Sequence, residues 1–204
     1  PGQTTFSSEV SGVLAAKPDA IVVLAFDETK SIVPELKAQG WDMKKTYFSD
    51  GNTADYSGDF AKGTLTDAQG TIPGADPDQA FKDRLQGWNQ AANGEKLKDY
   101  SYGAESYDAT ILAALAAVKG GATDPVTIQK NLADVSGATD GEECTTYADC
   151  VALLEDGKEI HYKGPSGIGP FDDENDPSSA FVGIYTFDSA NKPSLTSTVE
   201  GSKQ

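Results

Sequence analysis

The chain has 204 residues, of which 32 are acidic and 16 basic, so its formal net charge is −16. That length accommodates one large domain or two small ones, and a content of 38% hydrophobic residues in periodic stretches excludes a disordered chain. The negative charge disfavours nucleic acid as a partner, and the longest apolar run, residues 20–26, is far shorter than a membrane span.

The first part of the chain alternates between helical and strand patterns. Apolar residues at helical spacing from Phe6 predict a helix that ends before Pro18. Residues 20–26 form a continuous apolar run, which is typical of a strand covered on both faces. A second helix is predicted over residues 29–39, where Pro34 favours a kink or a late start.

Shorter elements complete this part of the chain. The sequence predicts a strand over residues 46–48, a loop over 49–52, a weak helix over 56–60 and a further strand over 64–72. Strands and helices that alternate in this way form a parallel sheet with right-handed crossovers. The predicted fold class is therefore α/β.

Three helices are predicted in the second part. Asp76 and Pro77 are typical of an N-cap and a first helical residue. The helix that they begin is expected to bury three large apolar side chains, Phe81, Leu85 and Trp88. The second helix covers residues 104–119, and the third follows Asp124 and runs through Val135.

Strands are few in this second part. Two short β segments, residues 159–163 and 168–171, flank a Gly-rich turn, and one clear strand covers residues 180–187. Helices of this number normally cover a sheet that has more strands. We therefore expect part of the sheet to be encoded upstream of Pro1, whose position without an initiator Met indicates a processed or cut start.

The two cysteines, Cys144 and Cys150, lie six positions apart. Their spacing fits a disulfide that closes a small loop, and the alternative is two free buried thiols. A zinc site would need further Cys or His ligands, and His161 is the single histidine in the sequence. Loop entropy gives so small a ring only about 2.4 kcal/mol, so it would fix a local turn. If the disulfide forms, it indicates an oxidising compartment.

Candidate ligand-binding residues follow two of the predicted strands. The first strand leads to Phe26 and Asp27, and the second leads to Ser49, Asp50 and Gly51. Ligands of parallel α/β sheets bind beyond the carboxyl ends of the strands, where an aromatic ring beside a carboxylate suits an amphiphilic cation. The alternatives are a turn in which Asp50 caps a helix and ordinary core packing of Phe26.

Catalytic and metal sites find little support in the sequence. Residues 164–168 fail the nucleophile-elbow pattern because Ile168 stands in place of the second glycine. His161 is interpreted as a structural or exposed strand residue. The acidic run at residues 172–176 lacks a Glu at the twelfth position of a calcium loop, so we interpret it as a solvated turn between two strands.

The order of these motifs resembles the C-terminal part of type I periplasmic binding proteins, with the branched-chain amino-acid-binding family of ABC importers as the subgroup. The resemblance covers nearly the whole chain. Its motifs are residues 20–26 with the helix to Gly40, residues 48–51, residues 102–109, residues 164–167, residues 171–173 and residues 181–187. The cysteine loop departs from the plainest family pattern and is interpreted as an insertion.

The resemblance implies a two-lobed α/β clamp that closes on a small ligand about hinge crossings. In this chain, residues 1–72 would form the later part of the second lobe. Residues 73–180 would form the C-terminal part of the first lobe, and residues 181–204 would form a return strand to the second lobe and a tail. The N-terminal portion of the fold would be absent.

Family resemblance also implies roles for individual residues. Asp50 matches a carboxylate that binds the α-ammonium group of the ligand, Tyr102 matches an aromatic that lines the side-chain pocket, and Phe26 falls at or beside another. Glu105 and Asp27 are secondary candidates. The Ser and Thr groups that bind the ligand carboxylate in the family belong to the N-terminal portion.

The function implied is that of an extracytoplasmic solute-binding component of an ABC importer, at the cell surface or in the periplasm, without enzymatic activity, cofactor or metal. Its partners would be a small-molecule ligand such as an amino acid, an ABC permease and the N-terminal half of the same protein, but no nucleic acid. The alternative is a ligand-sensing domain of a receptor or regulator on the same fold.

Overall fold

The computed structural model describes residues 3–97 and 99–202. The helices are α1 Ser7–Ala15, α2 Thr29–Ala38, α3 Gln79–Asn93, α4 Gly103–Gly120, α5 Pro125–Ala133 and α6 Tyr147–Glu155. The strands are β1 Ile21–Val23, β2 Thr46–Phe48, β3 Gln69–Pro73, β4 Glu142–Cys144, β5 Ile160–Tyr162, β6 Ser179–Phe187 and β7 Pro193–Ser202.

The chain divides into two compact units. The first takes its described residues from Pro1–Pro73 and Gly183–Val199, and the second from Gly74–Val182 and Glu200–Gln204. No single described helix is long and apolar enough to cross a membrane, and α4 with the segment Pro125–Ala138 passes that test only as a pair bent by 103°.

The larger sheet has the strand order β1-β2-β3-β6-β7. β1 and β2 pair in parallel, with Ile21 opposite Thr46 and Val23 opposite Phe48. β2 and β3 are also parallel. Because α2 connects β1 to β2 and the two strands run in the same direction, the predicted α/β class is confirmed.

The core of the first unit lies between this sheet and helices α1 and α2. Val10 of α1 and Val33 and Leu36 of α2 are buried, as helical spacing predicts. Phe48 of β2 and Phe187 of β6 meet edge to face with ring centroids 5.4 Å apart. Burial of an aliphatic or aromatic side chain of this size contributes roughly 1.5–3 kcal/mol, so this cluster supplies much of the stability of the unit.

The first strand is shorter and more exposed than predicted. Val23 lies in the core, with Ile21 packed against it, but Val22 is 65% exposed and Leu24 80% exposed. The prediction of a strand covered on both faces is therefore wrong. Side chains of a strand alternate between its faces, and among the described residues only the inward face of β1 is covered.

Two further differences lie near α2 and β3. The helix α2 runs from Thr29 through Pro34, so the predicted late start is wrong. Residues 56–60 form a turn rather than a helix, and the strand predicted from residue 64 begins at Gln69. Asp67 has a φ of 65°, a left-handed conformation that cannot continue an extended strand.

In the described part of the second unit there are four helices, α3 to α6, and a two-stranded parallel sheet formed by β4 and β5. Leu112, Leu115 and Ala116 of α4 are buried together with Val135 and Ile160. The small residues on α4 allow close approach, since a Cβ at Gly120 would overlap side chains of α5.

The start of α3 is displaced by two residues from its prediction. Asp78, not Asp76, is the N-cap, and its carboxylate accepts the backbone N–H of Phe81 at 2.7 Å. Asp76 instead forms an ion pair with Lys82, 2.6 Å away. The predicted burial of Phe81 is confirmed, since its exposure is 4%.

Trp88 was expected to be buried but is 65% exposed. The first two turns of α3 pack against α4. Phe81 meets the ring of Tyr107 at 5.5 Å, and Leu85 lies against Gly103. Trp88 lies in the third turn, so the contact with α4 that buries Phe81 does not extend to it.

The third predicted helix begins as expected and ends earlier. Asp124 is its N-cap and accepts the backbone N–H groups of Val126 and Thr127, each at 3.1 Å. After Ala133 the chain continues as a π-helical turn, Asp134–Ala138, in which Gly137 has a φ of 101°. The ring of His161 lies directly over Gly137, so a side chain there would overlap it.

The predicted disulfide is present between Cys144 and Cys150, whose Cα atoms are 5.3 Å apart. It joins the end of β4 to the helix α6, so the enclosed segment is not merely a local turn. Thr146 caps this helix by accepting the backbone N–H of Asp149 at 3.2 Å. Both sulfur-bearing residues belong to the core of the second unit.

The segment after β5 differs from its prediction. No strand forms over residues 168–171, where a single bridge joins Phe171 to Pro177. The acidic run between them is a turn in which Asp172 accepts the backbone N–H groups of Glu174 and Asp176 at 2.9 and 3.0 Å. The expected tail after β6 is instead the ten-residue strand β7.

Candidate functional site

The parallel pairing of β1 and β2 places the ends of both strands at one edge of the sheet. An open cleft of about 510 Å³ lies at this edge in the first unit. It is lined by Phe6, Leu24, Ala25, Phe26, Glu28, Ile32, Ser49, Asp50 and Gly51. Four of the predicted ligand-binding residues, Phe26, Ser49, Asp50 and Gly51, therefore share one cleft.

Phe26 is not a core residue, since its side chain is 73% exposed. Its ring rests on Gly51, where a Cβ atom would come within 2.6 Å of the Phe26 Cε1 atom. In the structure the glycine provides room for the Phe26 ring, which then presents its remaining surface to the cleft.

The loop after β2 is a 3₁₀ turn, Asp50–Asn52, that places Ser49 at the N-cap position. Asp50 lies within the first turn, so the alternative in which it caps the helix does not hold. The turn directs the chain back toward the core, where Asn52 and Thr53 are buried while Asp50 is exposed. The carboxylate of Asp50 is therefore carried on a short, internally hydrogen-bonded segment.

Glu28 adds a second carboxylate that sequence reasoning missed. Its carboxylate accepts the backbone N–H of Phe26 at 3.3 Å, and hydrogen bonds from the backbone N–H groups of Glu28 and Phe26 hold its pKa below the ordinary value. Among the described residues that line the cleft, the charged side chains are Glu28 and Asp50, both acidic. The cleft therefore presents an apolar floor with negative charge.

Asp27 does not line this cleft. Its side chain is 97% exposed and lies 3.7 Å from the Lys30 ammonium group. Asp27 lies in the turn between β1 and α2. Phe6, Leu24 and Ile32 are further lining residues that were not predicted. Among these, only Leu24 has a sequence signal, which is its two-residue spacing from Phe26 within the apolar run 20–26.

Tyr102 and Glu105 lie in the second unit, at the start of α4. Tyr102 occupies the N-cap position with a φ of 60°, and its side chain is 42% exposed. One oxygen of Glu105 is buried against Gly74 with no hydrogen-bond partner among the described residues. Burial raises the pKa of Glu105, and the nearby Asp108 carboxylate adds to this effect.

Solved structures similar to this chain were found, whereas sequence comparison found no relative. A scan of protein-family models and a search of curated proteins gave no match. Among solved structures, the chain is similar to a leucine-binding protein from Thermotoga maritima, with 16% identity and a TM-score of 0.67 over 97% of this chain and 49% of that one.

Two further structures are similar. A fatty acid ABC transporter substrate-binding protein from Thermomonospora curvata has 14% identity and a TM-score of 0.61, over 98% of this chain and 48% of that one. A solute-binding protein of an ABC transporter from R. palustris, solved in complex with benzoate, has 14% identity and a TM-score of 0.57, over 97% of this chain and 47% of that one.

At these identities the likeness concerns the fold. The chain spans about half the length of each of these proteins. The predicted resemblance to type I periplasmic binding proteins is confirmed at the level of the fold. The chain has the type I periplasmic-binding-protein fold, and it spans about half of that fold.

Proposed function

We propose that this chain is part of an extracytoplasmic solute-binding protein of an ABC importer, and that it binds an amino acid or a similar small amphiphile. The observation that carries the proposal is the arrangement in the cleft, where the exposed ring of Phe26 rests on Gly51 beside the Asp50 carboxylate. An apolar surface next to a carboxylate suits a ligand with an ammonium group and a hydrocarbon side chain.

The charge of the cleft favours this ligand class over a simple carboxylic acid. The similar solved structures include a leucine-binding protein, a substrate-binding protein of a fatty acid ABC transporter and a solute-binding protein in complex with benzoate. A ligand whose polar end is a carboxylate would meet Asp50 and Glu28 in this unit, and two like charges at close range are unfavourable. A ligand that presents an ammonium group here would gain a charge-assisted contact instead.

We propose binding without a chemical step. The hydroxyl of Ser49 donates to the side-chain oxygen of Asn52 at 3.0 Å, and this pairing does not activate it as a nucleophile. The solved neighbours are binding proteins as well. In this proposal Tyr102 and Glu105 act from the opposite lobe after hinge closure, and Asp27 has no direct role.

The lobes and partners follow from the same proposal. Residues 1–72 with the strand from residue 181 would belong to one lobe and residues 73–180 to the other. The N-terminal half of the same protein would cover the exposed Val22 of β1, the exposed Leu24 that follows this strand, and an apolar groove of about 220 Å³ beside them. An ABC permease would receive the ligand, and the disulfide fits an extracytoplasmic location.

Calorimetric titration of the full-length protein tests the ligand class. We expect L-leucine to bind, and we expect 4-methylpentanoate, which is leucine without its ammonium group, to bind much more weakly. Asp50→Ala should weaken leucine binding by ~2–5 kcal/mol, the usual effect of removing one partner of a charge pair that becomes buried in the complex. Asp19→Ala, which removes an exposed carboxylate of the same unit, is the control. Equal affinity for both ligands would refute the ammonium contact.

A further inference from the structure

Asn52 is a polar residue in the apolar core of the first unit, where its exposure is 0%. Its side-chain amide donates to the carbonyl oxygen of Val23 at 3.1 Å and to the hydroxyl oxygen of Thr29 at 3.0 Å. Its side-chain oxygen accepts the hydroxyl of Ser49 at 3.0 Å. Its backbone carbonyl accepts the hydroxyl of Tyr56 at 3.0 Å.

These bonds satisfy both amide hydrogens and one acceptor site of the side chain. A buried amide without partners costs about 1–3 kcal/mol, so the network is stable only while every member keeps its position. A fully paired polar network adds little net stability compared with apolar packing, but it fixes geometry. Asn52 therefore contributes mainly by fixing the relative positions of the segments that it connects.

The network connects three segments that meet at the cleft. Val23 ends β1, and Thr29, which is itself 0% exposed, begins α2. Ser49 follows directly after β2, and its backbone N–H also donates to the carbonyl oxygen of Val23 at 3.3 Å. Asp50 lies between two anchored positions, Ser49 and Asn52, and so does Gly51, on which the Phe26 ring rests.

We propose that Asn52 is the positioning residue of this binding site. It holds the turn after β2 at a fixed distance from the ends of β1 and α2, so that the Asp50 carboxylate and the Phe26 ring meet a ligand in one geometry. This inference rests on the proposed function. Asn52 itself would not touch the ligand, but it would preorganise Asp50 and Phe26, which would.

The chain contains a control in Asn191, which is also 0% exposed in the first unit and whose φ of 63° adds backbone strain when Ala replaces it, so that Asn191→Ala tests whether destabilisation alone lowers affinity. Its side-chain amide donates to the carbonyl oxygens of Phe60 and Ala61 at 3.2 and 3.0 Å, and its side-chain oxygen accepts the backbone N–H of Leu65 at 2.9 Å. Asn191 thus loses as many side-chain hydrogen bonds as Asn52 when it is replaced by Ala. It does not line the cleft.

The test compares Asn52→Ala with Asn191→Ala in the full-length protein by thermal unfolding, by calorimetric titration with L-leucine and by backbone hydrogen exchange. Both variants should unfold at a lower temperature. Asn52→Ala alone should lose affinity for leucine, on the order of tenfold, because small displacements of a positioned group are costly. It alone should speed exchange in residues 49–53.

A second pair of variants tests the inference in case Asn52→Ala does not fold. Thr29→Val removes the acceptor of the Asn52 amide, whereas Thr29→Ser keeps it, so the valine variant should lose leucine affinity and the serine variant should retain it. Unchanged leucine affinity in Asn52→Ala, or an equal loss in Asn191→Ala, would overturn the inference. If the wild-type protein does not bind leucine, the amino-acid proposal fails instead, and hydrogen exchange in residues 49–53 alone decides whether Asn52 holds the turn.

Discussion

The phenol of Tyr162 donates a hydrogen bond of 2.8 Å to the carboxylate of Asp108, and both side chains are buried in the second unit. The other carboxylate oxygen accepts the backbone N–H of Ser166, also at 2.8 Å. Asp108 therefore ties α4 to β5 and to the turn at residues 164–167. Burial raises the pKa of Tyr162 and the Asp108 carboxylate raises it further, so the phenol remains a donor at neutral pH.

Replacement of Asp108 should destabilise the second unit strongly. Asp108→Ala leaves the Tyr162 hydroxyl and the Ser166 N–H buried without their acceptor, at about 1–3 kcal/mol for each group. Tyr162→Phe removes only one of the two bonds and should cost less. Urea unfolding measures the loss of stability in both variants, and hydrogen exchange within α4 shows where it occurs. Equal stability of Asp108→Ala and the wild type would contradict this account of the turn.

Reduction of the disulfide should lower the unfolding free energy of the second unit by about 2 kcal/mol, because the closed ring is short and loop entropy is small. Hydrogen exchange should accelerate first in β4 and α6, which the bond joins. A Cys144→Ala/Cys150→Ala variant is the control, since a reductant should not change its stability. A reductant effect of the same size in that variant would rule out the disulfide as the cause.

The sequence predicted elements well where local signals and packing agree. β2 alternates a buried, an exposed and a buried residue, and α5 begins with an aspartate cap and a proline. β7 was missed because nearly all of its residues are exposed and its Ser and Thr residues carry no apolar pattern. The helix α6 was missed because the two cysteines suggested a loop, although Cys150 and Leu154 lie on one helical face.

The candidate site was predictable only where it depends on strand topology. Phe26 and Asp50 share a cleft because β1 and β2 are parallel neighbours, which the alternation of strands and helices already indicated. The roles of Phe6 and Ile32 depend on how α1 and α2 pack over the sheet, which no local pattern specifies. The contact between Phe26 and Gly51 is a tertiary contact between two loops and has no sequence signal.

That contact supports a prediction about ligand affinity. Gly51→Ala places a Cβ atom within 2.6 Å of the Phe26 ring and 3.1 Å of the Ala25 carbonyl oxygen, so the ring must move. We expect leucine affinity to fall on the order of tenfold with little loss of stability, because Phe26 is exposed and can rotate away. Gly58→Ala is the control, since no atom lies within 4 Å of its added Cβ. A similar loss of affinity in both variants would contradict the role of the ring.

Glu105 provides a prediction about pH. Burial raises the pKa of its carboxyl group, and the nearby Asp108 carboxylate adds to this effect. Because the folded-state pKa is raised, Glu105 favours folding below its ordinary pKa, and this contribution is lost as the pH rises through the raised value. Glu105→Gln removes the buried charge, so the variant should unfold at higher urea than the wild type at pH 7. The difference should vanish near pH 4, where both side chains are neutral. The exposed Glu155→Gln should show no such change, and a gain from Glu105→Gln that persists undiminished at pH 4 would show that ionisation is not the cause.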